Sequence, residues 1–241
     1  VPSAPGRRSA NDVKVTDLLY QCYGLAAAGK DFRRPLQAVR DRYAEIVQGL
    51  GLSLPLDEEF RKIEESLTSA PERDYTASRG EYLNGLVLAE YLGFAFIDAA
   101  ELFFFDDAGN FDAARSHGVL TARLDEAPRA VVPGFYGTDP AGRVHTFPRG
   151  GSDITGAIIA GACGASVYEN WTDVSGLLMA DPRIVKNPKV IRDITYSELR
   201  ELAYMGATVL HEDAFLFVRR AGVPITIRNT NQPEDPGTWI V

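Results

Sequence analysis

Five residues, Arg149-Gly150-Gly151-Ser152-Asp153, constrain this chain most, because they stand where a polar loop becomes an apolar helix. The two glycines allow the backbone to come close to a bound group. We expect Ser152 to be the N-cap of the helix, which the apolar pattern predicts over residues 154–162. A helix N-terminus with an arginine beside it favours an anion. The segment therefore predicts an anion-binding turn at a loop-to-helix junction.

Hydrophobic periodicity predicts a chain in which helices and short strands alternate. The other predicted helices cover residues 12–29, 35–48, 57–69, 76–92, 196–205 and 211–221. The predicted strands cover residues 95–98, 102–105, 130–132, 165–169, 224–227 and 238–241, with a tight turn at 106–110 and a polar loop at 138–148. Strands alternating with helices imply an α/β fold with a mostly parallel sheet covered on both faces.

Charge and cysteine content exclude several classes of partner. The net charge of −8 argues against nucleic acid and anionic membranes, which reward a basic surface. Cys22 and Cys163 are too few and too far apart for a disulfide framework or a metal site, and we expect both to be buried. No run of about 18 apolar residues occurs. These features predict a cytoplasmic protein without a membrane partner.

Familiar catalytic motifs are missing from the sequence. There is no GxxxxGK[ST] phosphate loop and no GxGxxGxV segment, so a P-loop enzyme or a protein kinase is disfavoured. The three histidines, His117, His145 and His211, are scattered and suggest no Ser-His-Asp or Cys-His arrangement. Any phosphate site must therefore be formed by a loop of a different type.

The order of several short segments is more specific than any one of them. The segments are Ser78-Arg79-Gly80-Glu81, Arg149-Gly150-Gly151-Ser152-Asp153, Trp171-Thr172-Asp173-Val174, Asp181-Pro182-Arg183, Leu210-His211 and Gly237-Thr238. Together they resemble the amino-acid kinases, and most closely the aspartokinases. The resemblance implies a three-layer αβα sandwich like that of carbamate kinase. It also implies an amino-acid-substrate lobe at 1–135 and a nucleotide-binding lobe at 136–241.

The resemblance assigns roles on the substrate side. Glu81 matches the glutamate that holds the amino group of aspartate, and Arg149 matches the arginine that pairs with the α-carboxylate. Ser152 matches a substrate contact, and Asp153 matches an acidic residue that orients a catalytic lysine. Thr16 matches a threonine that touches substrate, although a purely structural role is at least as well supported for it.

On the nucleotide side, Thr172 and Asp173 resemble the family's nucleotide contacts, and Arg183 its phosphate-side arginine. Two positions depart from the pattern. Thr208 replaces a frequent lysine near the phosphates, and Leu178 stands where many members carry a tyrosine. Both departures bear on the affinity for ATP, and a structural role for Thr208 stays open.

The implied reaction transfers the γ-phosphoryl group of ATP, with Mg²⁺, to the β-carboxylate of L-aspartate, a step toward lysine, threonine and methionine. A carboxylate is already ionised at neutral pH and needs no base, so catalysis depends on positioning and charge neutralisation. Mg²⁺ keeps much of its water, and we predict no protein metal cage. The family's Lys-Phe-Gly-Gly turn does not occur here, and we expect this chain to have little activity alone. Full-length members carry ACT domains and often form homodimers.

Two alternatives remain open. One is an enzyme of the same fold that acts on another carboxylate or on carbamate, although Glu81 favours a substrate with a free amino group. The other is a non-catalytic fragment that binds ligand without turnover, which the missing lysine and Thr208 both favour.

Overall fold

The structure, a computed structural model, describes residues 1–148, 150–181, 184–204 and 212–241. The chain forms two compact units, Val1–Ser152 and Asp153–Val241. The predicted boundary between the lobes, after residue 135, lies earlier than this division, because the hairpin that follows it belongs to the first unit. The functions assigned to the two lobes stay predictions.

Helices dominate the first unit. They are α1 (Val15–Ala27), α2 (Arg33–Gly49), α3 (Asp57–Ser69), α4 (Arg73–Leu92) and α5 (Ala113–Glu126). The first four share one apolar core, to which each contributes buried residues at helical spacing. Among these are Leu19, Leu36, Tyr43, Phe60, Ile63 and Leu83. Each fully buried large apolar side chain contributes about 1.5–3 kcal/mol. This core holds α1 and α4 in place.

Two small strand pairs complete the first unit. Strands β1 (Ala95–Phe96) and β2 (Ala130–Val131) are parallel, and α5 lies in the connection between them. Strands β3 (Tyr136–Thr138) and β4 (Val144–Thr146) form an antiparallel hairpin. Next to the hairpin, Phe103, Phe105, Phe111 and Phe147 pack edge-on or tilted, with ring centroids 4.9–6.3 Å apart. This aromatic cluster fixes the end of β4.

The second unit is an α/β arrangement around a four-stranded sheet. Its elements are α6 (Gly151–Ala162), β5 (Tyr168–Thr172), β6 (Asp193–Ile194), α7 (Tyr196–Tyr204), α8 (Glu212–Ala221), β7 (Ile225–Asn229) and β8 (Thr238–Ile240). The strand order is β5-β7-β8-β6, with β5 parallel to β7, β6 parallel to β8, and β7 antiparallel to β8. Gly237 has a φ of 68°, and a Cβ there would lie 1.9 Å from the Ile227 carbonyl oxygen. Only glycine fits at this position.

The α/β class is confirmed, and three of the five strand pairings in the described residues are parallel. The helices predicted in the first hundred residues are confirmed within a few residues at each end. Helix α5 was not predicted, because it buries only Ser116 and Leu120 and so shows a weak apolar stripe. The polar loop at 138–148 contains most of the β3–β4 hairpin, and residues 102–105 form isolated bridges rather than a strand.

Three local predictions were wrong. Ser152 is not the N-cap, because α6 already begins at Gly151, directly after Gly150 turns the chain with a φ of 82°. Strand β5 begins at Tyr168 rather than at residue 165. Cys163 is exposed, since it follows the last turn of α6, whereas Cys22 is buried as predicted.

Among the helices in the described ranges, none combines the length and the apolar character needed to cross a membrane.

Candidate functional site

Glu81 is a buried acid in the middle of α4. The residue is only 6% exposed to solvent. Oε1 accepts a hydrogen bond from the backbone N–H of Ala4 at 3.2 Å, whereas Oε2 is buried without a partner among the described residues. Burial raises the pKa of the Glu81 carboxyl to about 7, against the opposing effects of the Ala4 hydrogen bond and the Arg79 charge. An unsatisfied carboxylate oxygen in such a place calls for a cation or a donor.

Close packing around Gly80 joins the N-terminal segment, α1 and α4 next to this acid. A Cβ at Gly80 would lie 2.8 Å from Cβ of Ala4 and 3.3 Å from Leu19. The hydroxyl of Tyr43 also donates to the Gly80 carbonyl oxygen. The glycine therefore permits the N-terminal segment and α1 to approach α4 beside Glu81.

Arg79, next to this glycine, is held in an aromatic cage. Its guanidinium lies 4.5, 4.3 and 5.3 Å from the ring centroids of Tyr75, Tyr82 and Tyr136. It donates to Oγ of Ser78, and no carboxylate pairs with it in the described part of the chain. The rings stabilise the buried cation by cation–π attraction, and its charge favours the ionised form of Glu81.

An open pocket of about 710 Å³ lies in the first unit, between α1, the start of α4 and the β3–β4 hairpin. Two residues that line it, Thr16 and Gly150, belong to segments that the sequence predicted to be functional. Its lining residues are Thr16, Tyr20, Arg73, Asp74, Phe105, Gly109, Phe135, His145, Thr146, Phe147, Pro148 and Gly150. Burial raises the pKa of the Tyr20 hydroxyl, and the carboxylates of Asp74 and Glu81 add to this effect. Glu81 is not among the lining residues, but its neighbour Gly80 packs against Val15 and Leu19 of α1.

The turn that ends in α6 is tightly packed on the same side of the first unit. A Cβ at Gly134 would lie 2.7 Å from Cβ and Oγ of Ser152. A Cβ at Gly151 would meet the Phe135 ring at 2.8 Å. Phe135 itself has a φ of 84°, which is strained for a bulky residue and is often found at functional sites. These contacts hold Ser152 against the loop that borders the pocket.

In the second unit, Asp153 belongs to a polar network with β5. Asn170, which is 9% exposed, donates to Oδ1 of Asp153 at 2.9 Å. The same amide lies 3.2 Å from the hydroxyl oxygen of Tyr168, and this hydroxyl lies 3.3 Å from the Asp153 carbonyl oxygen. Burial raises the pKa of Tyr168, so its hydroxyl stays protonated and can donate. The strand thus orients the carboxyl group in the first turn of α6.

Thr172 and Asp173 lie at the carboxyl end of β5. The hydroxyl of Thr172 donates weakly to Asp173 at 3.4 Å. The Thr172 carbonyl oxygen accepts from the backbone N–H and the hydroxyl of Thr230. Trp171 is 44% exposed, with the Arg228 guanidinium 5.2 Å from its ring centroid. The carboxyl ends of strands in open α/β sheets are where ligands usually bind.

The structure brings together part of the predicted set. Within the first unit, Thr16 lines the pocket and Ser152 packs on its bordering loop. Glu81 lies on α4, which packs against the helix of Thr16, but it does not line the pocket. Within the second unit, Asp153 accepts a hydrogen bond from Asn170 of β5. Thr172 follows two residues later on the same face of that strand. Three predicted residues, Arg149, Arg183 and Thr208, lie outside the described residues.

Sequence reasoning missed four residues that the structure places in or beside these sites. Asn170 could have been found as a polar residue on the buried face of a strand, had β5 been placed correctly. Tyr20, Asp74 and His145 carry no such signal, because tertiary packing alone brings them to the pocket. In the described ranges no three potential metal ligands of the His, Cys, Asp and Glu types come together.

Comparison with known proteins gives a consistent picture. The family model described as amino acid kinase family matches residues 15–229. Aspartokinase 3 of Bacillus subtilis is 38% identical over 255 aligned positions, which cover 100% of this chain and 56% of that protein. The chain thus spans about half the length of such curated relatives.

Two solved structures extend the comparison. The aspartate kinase of Clostridium acetobutylicum shares 50% identity and a TM-score of 0.92, over 99% of this chain and 54% of that one. Escherichia coli aspartokinase III, solved in complex with aspartate and ADP, shares 29% identity and a TM-score of 0.82, over 97% of this chain and 56% of that one. Since the family model covers most of its length, this chain belongs to the amino acid kinase family.

Proposed function

We propose that this chain is the catalytic domain of an aspartate kinase. It transfers the γ-phosphoryl group of ATP to the β-carboxylate of L-aspartate and yields 4-phospho-L-aspartate, the first step toward lysine, threonine and methionine. The observation that carries the proposal is the buried Glu81 carboxyl, whose Oε2 has no partner in the described part of the chain. A substrate ammonium group would satisfy this oxygen and favour its ionised form.

On the substrate side, Glu81 binds the amino group and Arg149 the α-carboxylate, for which a planar guanidinium is suited. Ser152 and Thr16 contribute further contacts. The ammonium and α-carboxylate groups are both attached to Cα, so binding them leaves the side-chain carboxylate as the free end. This group is already ionised and attacks without a base, so the task of the protein is to orient it.

On the nucleotide side, Thr172, Asp173, Arg183 and Thr208 bind ATP. The position of Thr172 and Asp173 at the end of a parallel strand suits a nucleotide. In this family an acidic residue orients the lysine that acts in phosphoryl transfer. We assign that role to Asp153, although the Lys-Phe-Gly-Gly turn that carries this lysine does not occur in the sequence given. Mg²⁺ bound together with ATP would neutralise phosphate charge during the transfer, and it would need at most one or two protein carboxylates.

The proposal extends to the setting of the protein. We place it in the cytoplasm, as a homodimer whose full-length form carries regulatory ACT domains. The support for the dimer and the ACT domains is the resemblance to the aspartokinases. The support for the cytoplasmic location is the low cysteine content and the lack of a long apolar run in the sequence. Analytical ultracentrifugation of the full-length protein, with and without lysine and threonine, tests the dimer and the regulatory response.

Calorimetric titration tests the substrate assignment directly. L-Aspartate, N-acetyl-L-aspartate and succinate share the carboxylates but differ in the ammonium group. We expect heat of binding only from L-aspartate, and a large loss of affinity in Arg149→Ala. Equal binding of all three compounds would exclude Glu81 as the ammonium site, and glutamate or carbamate binding more tightly than aspartate would favour another acceptor.

A further inference from the structure

Asp74 connects the start of α4 to the end of β4. It is the second residue of α4, and its side chain is 24% exposed. Its Oδ2 accepts a hydrogen bond from the backbone N–H of Thr146 at 3.0 Å. The same oxygen lies 3.8 Å from Nδ1 of His145. The two elements it joins are 72 residues apart in sequence, so the contact is purely tertiary.

The geometry of the hairpin makes the Thr146 amide available. In an antiparallel pair, successive N–H groups of one strand alternate between pointing to the partner and pointing away. Phe147 donates its N–H to the carbonyl oxygen of Phe135, whereas Thr146, one residue earlier, turns its N–H outward to Asp74. Without the carboxylate, this edge N–H would lose its protein acceptor.

The chain after Thr146 has little freedom. Phe147 is 5% exposed and packs in the aromatic cluster. Pro148 then restricts φ to about −65°, and Arg149 follows directly. Anchoring the Thr146 backbone therefore fixes the edge of the pocket that Thr146, Phe147 and Pro148 line.

We propose that Asp74 is a positioning residue for the amino-acid pocket. It holds the end of β4, where Thr146, Phe147 and Pro148 line the pocket, against the start of α4. The same helix also carries Glu81. This inference rests on the proposed function, since it assigns Asp74 to the binding of aspartate. Asp74 acts through the backbone of Thr146.

A simpler role for Asp74 makes a different prediction. An acidic residue in the first turn stabilises a helix through its macrodipole, as Asp57 can do for α3. Under that role the charge matters, and Asp74→Asn should behave like Asp74→Ala. Under the positioning role the acceptor oxygen matters. Asp74→Asn keeps an oxygen for Thr146 and should then behave like the wild-type chain.

The test is calorimetry with L-aspartate and, separately, ADP on wild type, Asp74→Asn, Asp74→Ala and Asp74→Ser, with Asp57→Ala as the control for helix charge. We expect Asp74→Ala and Asp74→Ser to bind aspartate about tenfold more weakly, as for the loss of one hydrogen bond. Asp74→Asn and Asp57→Ala should stay within about threefold of wild type. ADP affinity should not change in any variant.

The variants distinguish the positioning role of Asp74 from a purely structural one. If Asp74→Ala fails to fold, Asp74→Ser supplies the comparison, because a serine hydroxyl is polar but too short to reach Thr146. Wild-type affinity in the Ala and Ser variants, or equal weakening in Asp74→Asn, overturns the positioning role while leaving the proposed function intact. Absence of aspartate binding by the wild-type chain overturns both. Amide hydrogen exchange at Thr146 should be faster in Asp74→Ala than in wild type. Unchanged exchange would show that Asp74 does not anchor this backbone amide.

Discussion

The backbone N–H of Ala4 donates to Oε1 of Glu81 at 3.2 Å and joins residues 77 positions apart. This single contact satisfies one oxygen of a buried carboxyl group and leaves Oε2 without a partner among the described residues. The acid is therefore neither fully paired nor solvated. Its raised pKa, at about 7, makes both ligand binding and stability depend on pH near neutrality.

Aspartate affinity should rise with pH between 6 and 8. An ammonium group binds the ionised form of Glu81, and a group with a pKa of about 7 is only about one-tenth ionised at pH 6. We expect affinity at pH 6 to be about tenfold below that at pH 8. Calorimetric titration in buffers of equal ionic strength measures the difference.

Two variants control this experiment. Glu81→Gln should bind weakly at every pH, and its affinity should not vary between pH 6 and 8. Glu90→Gln alters an exposed position on the same helix and should keep the wild-type profile. A pH dependence that survives in Glu81→Gln would show that another group is responsible.

Stability without ligand should change with pH in the opposite sense. Because burial raises the pKa of Glu81 from 4.5 to about 7, the folded state binds more protons than the unfolded state between these values. The free energy of unfolding then falls as pH rises through this window, and the loss is complete above it. Glu81→Gln should therefore be more stable than wild type by up to about 3 kcal/mol at pH 8, with no gain near pH 4. Urea denaturation at both pH values measures this difference. Equal stability of wild type and Glu81→Gln at pH 8 would contradict the burial of an ionised Glu81 side chain.

Gly134→Ala should disturb the substrate pocket through Ser152. The added Cβ would meet Cβ and Oγ of Ser152 at 2.7 Å and its Cα at 2.8 Å, so the start of α6 must shift. We expect a stability loss of about 1–3 kcal/mol from overpacking and weaker binding of L-aspartate. Gly118→Ala is the matched control, because a Cβ there has nothing within 4 Å and should raise stability by about 0.5–1 kcal/mol. Unchanged aspartate affinity in Gly134→Ala would show that Ser152 does not contribute to substrate binding.

Asn170→Ala should destabilise the second unit by about 1–3 kcal/mol, because the Asp153 carboxyl loses the donor that lies at 2.9 Å. Asn170→Asp should cost more at pH 8 than at pH 4, since it places a second carboxyl group beside Asp153 and like charges repel when both ionise. Thermal unfolding at the two pH values measures both effects. Glu169→Gln, on the exposed face of the same strand, should change little. If Asn170→Asp is equally stable at both pH values, the two side chains do not interact.

Helices α1, α2 and α3 could be predicted because each presents a regular apolar stripe, whereas α4 buries six successive residues from Thr76 to Glu81 and was predicted without one. Helix α3 was predicted from Asp57 to Ser69 and has those bounds. The hairpin at Tyr136–Thr138 and Val144–Thr146 was not, because each strand has only three residues and neither alternates between buried and exposed positions. Helix α5 escaped prediction for a similar reason, since most of its surface faces solvent.

Local pattern and motif order determined the identity of the candidate site, from Glu81 in its Ser-Arg-Gly-Glu segment to Thr172 after its strand. These signals reside in neighbouring residues, so the chain carries them without being folded. Tertiary structure alone decided that Oε2 of Glu81 is buried without a partner in the described residues, that Asp74 reaches Thr146, and that Asn170 holds Asp153. Burial and hydrogen bonding across 17 to 77 positions depend on how helices and strands pack, and no local pattern encodes that packing.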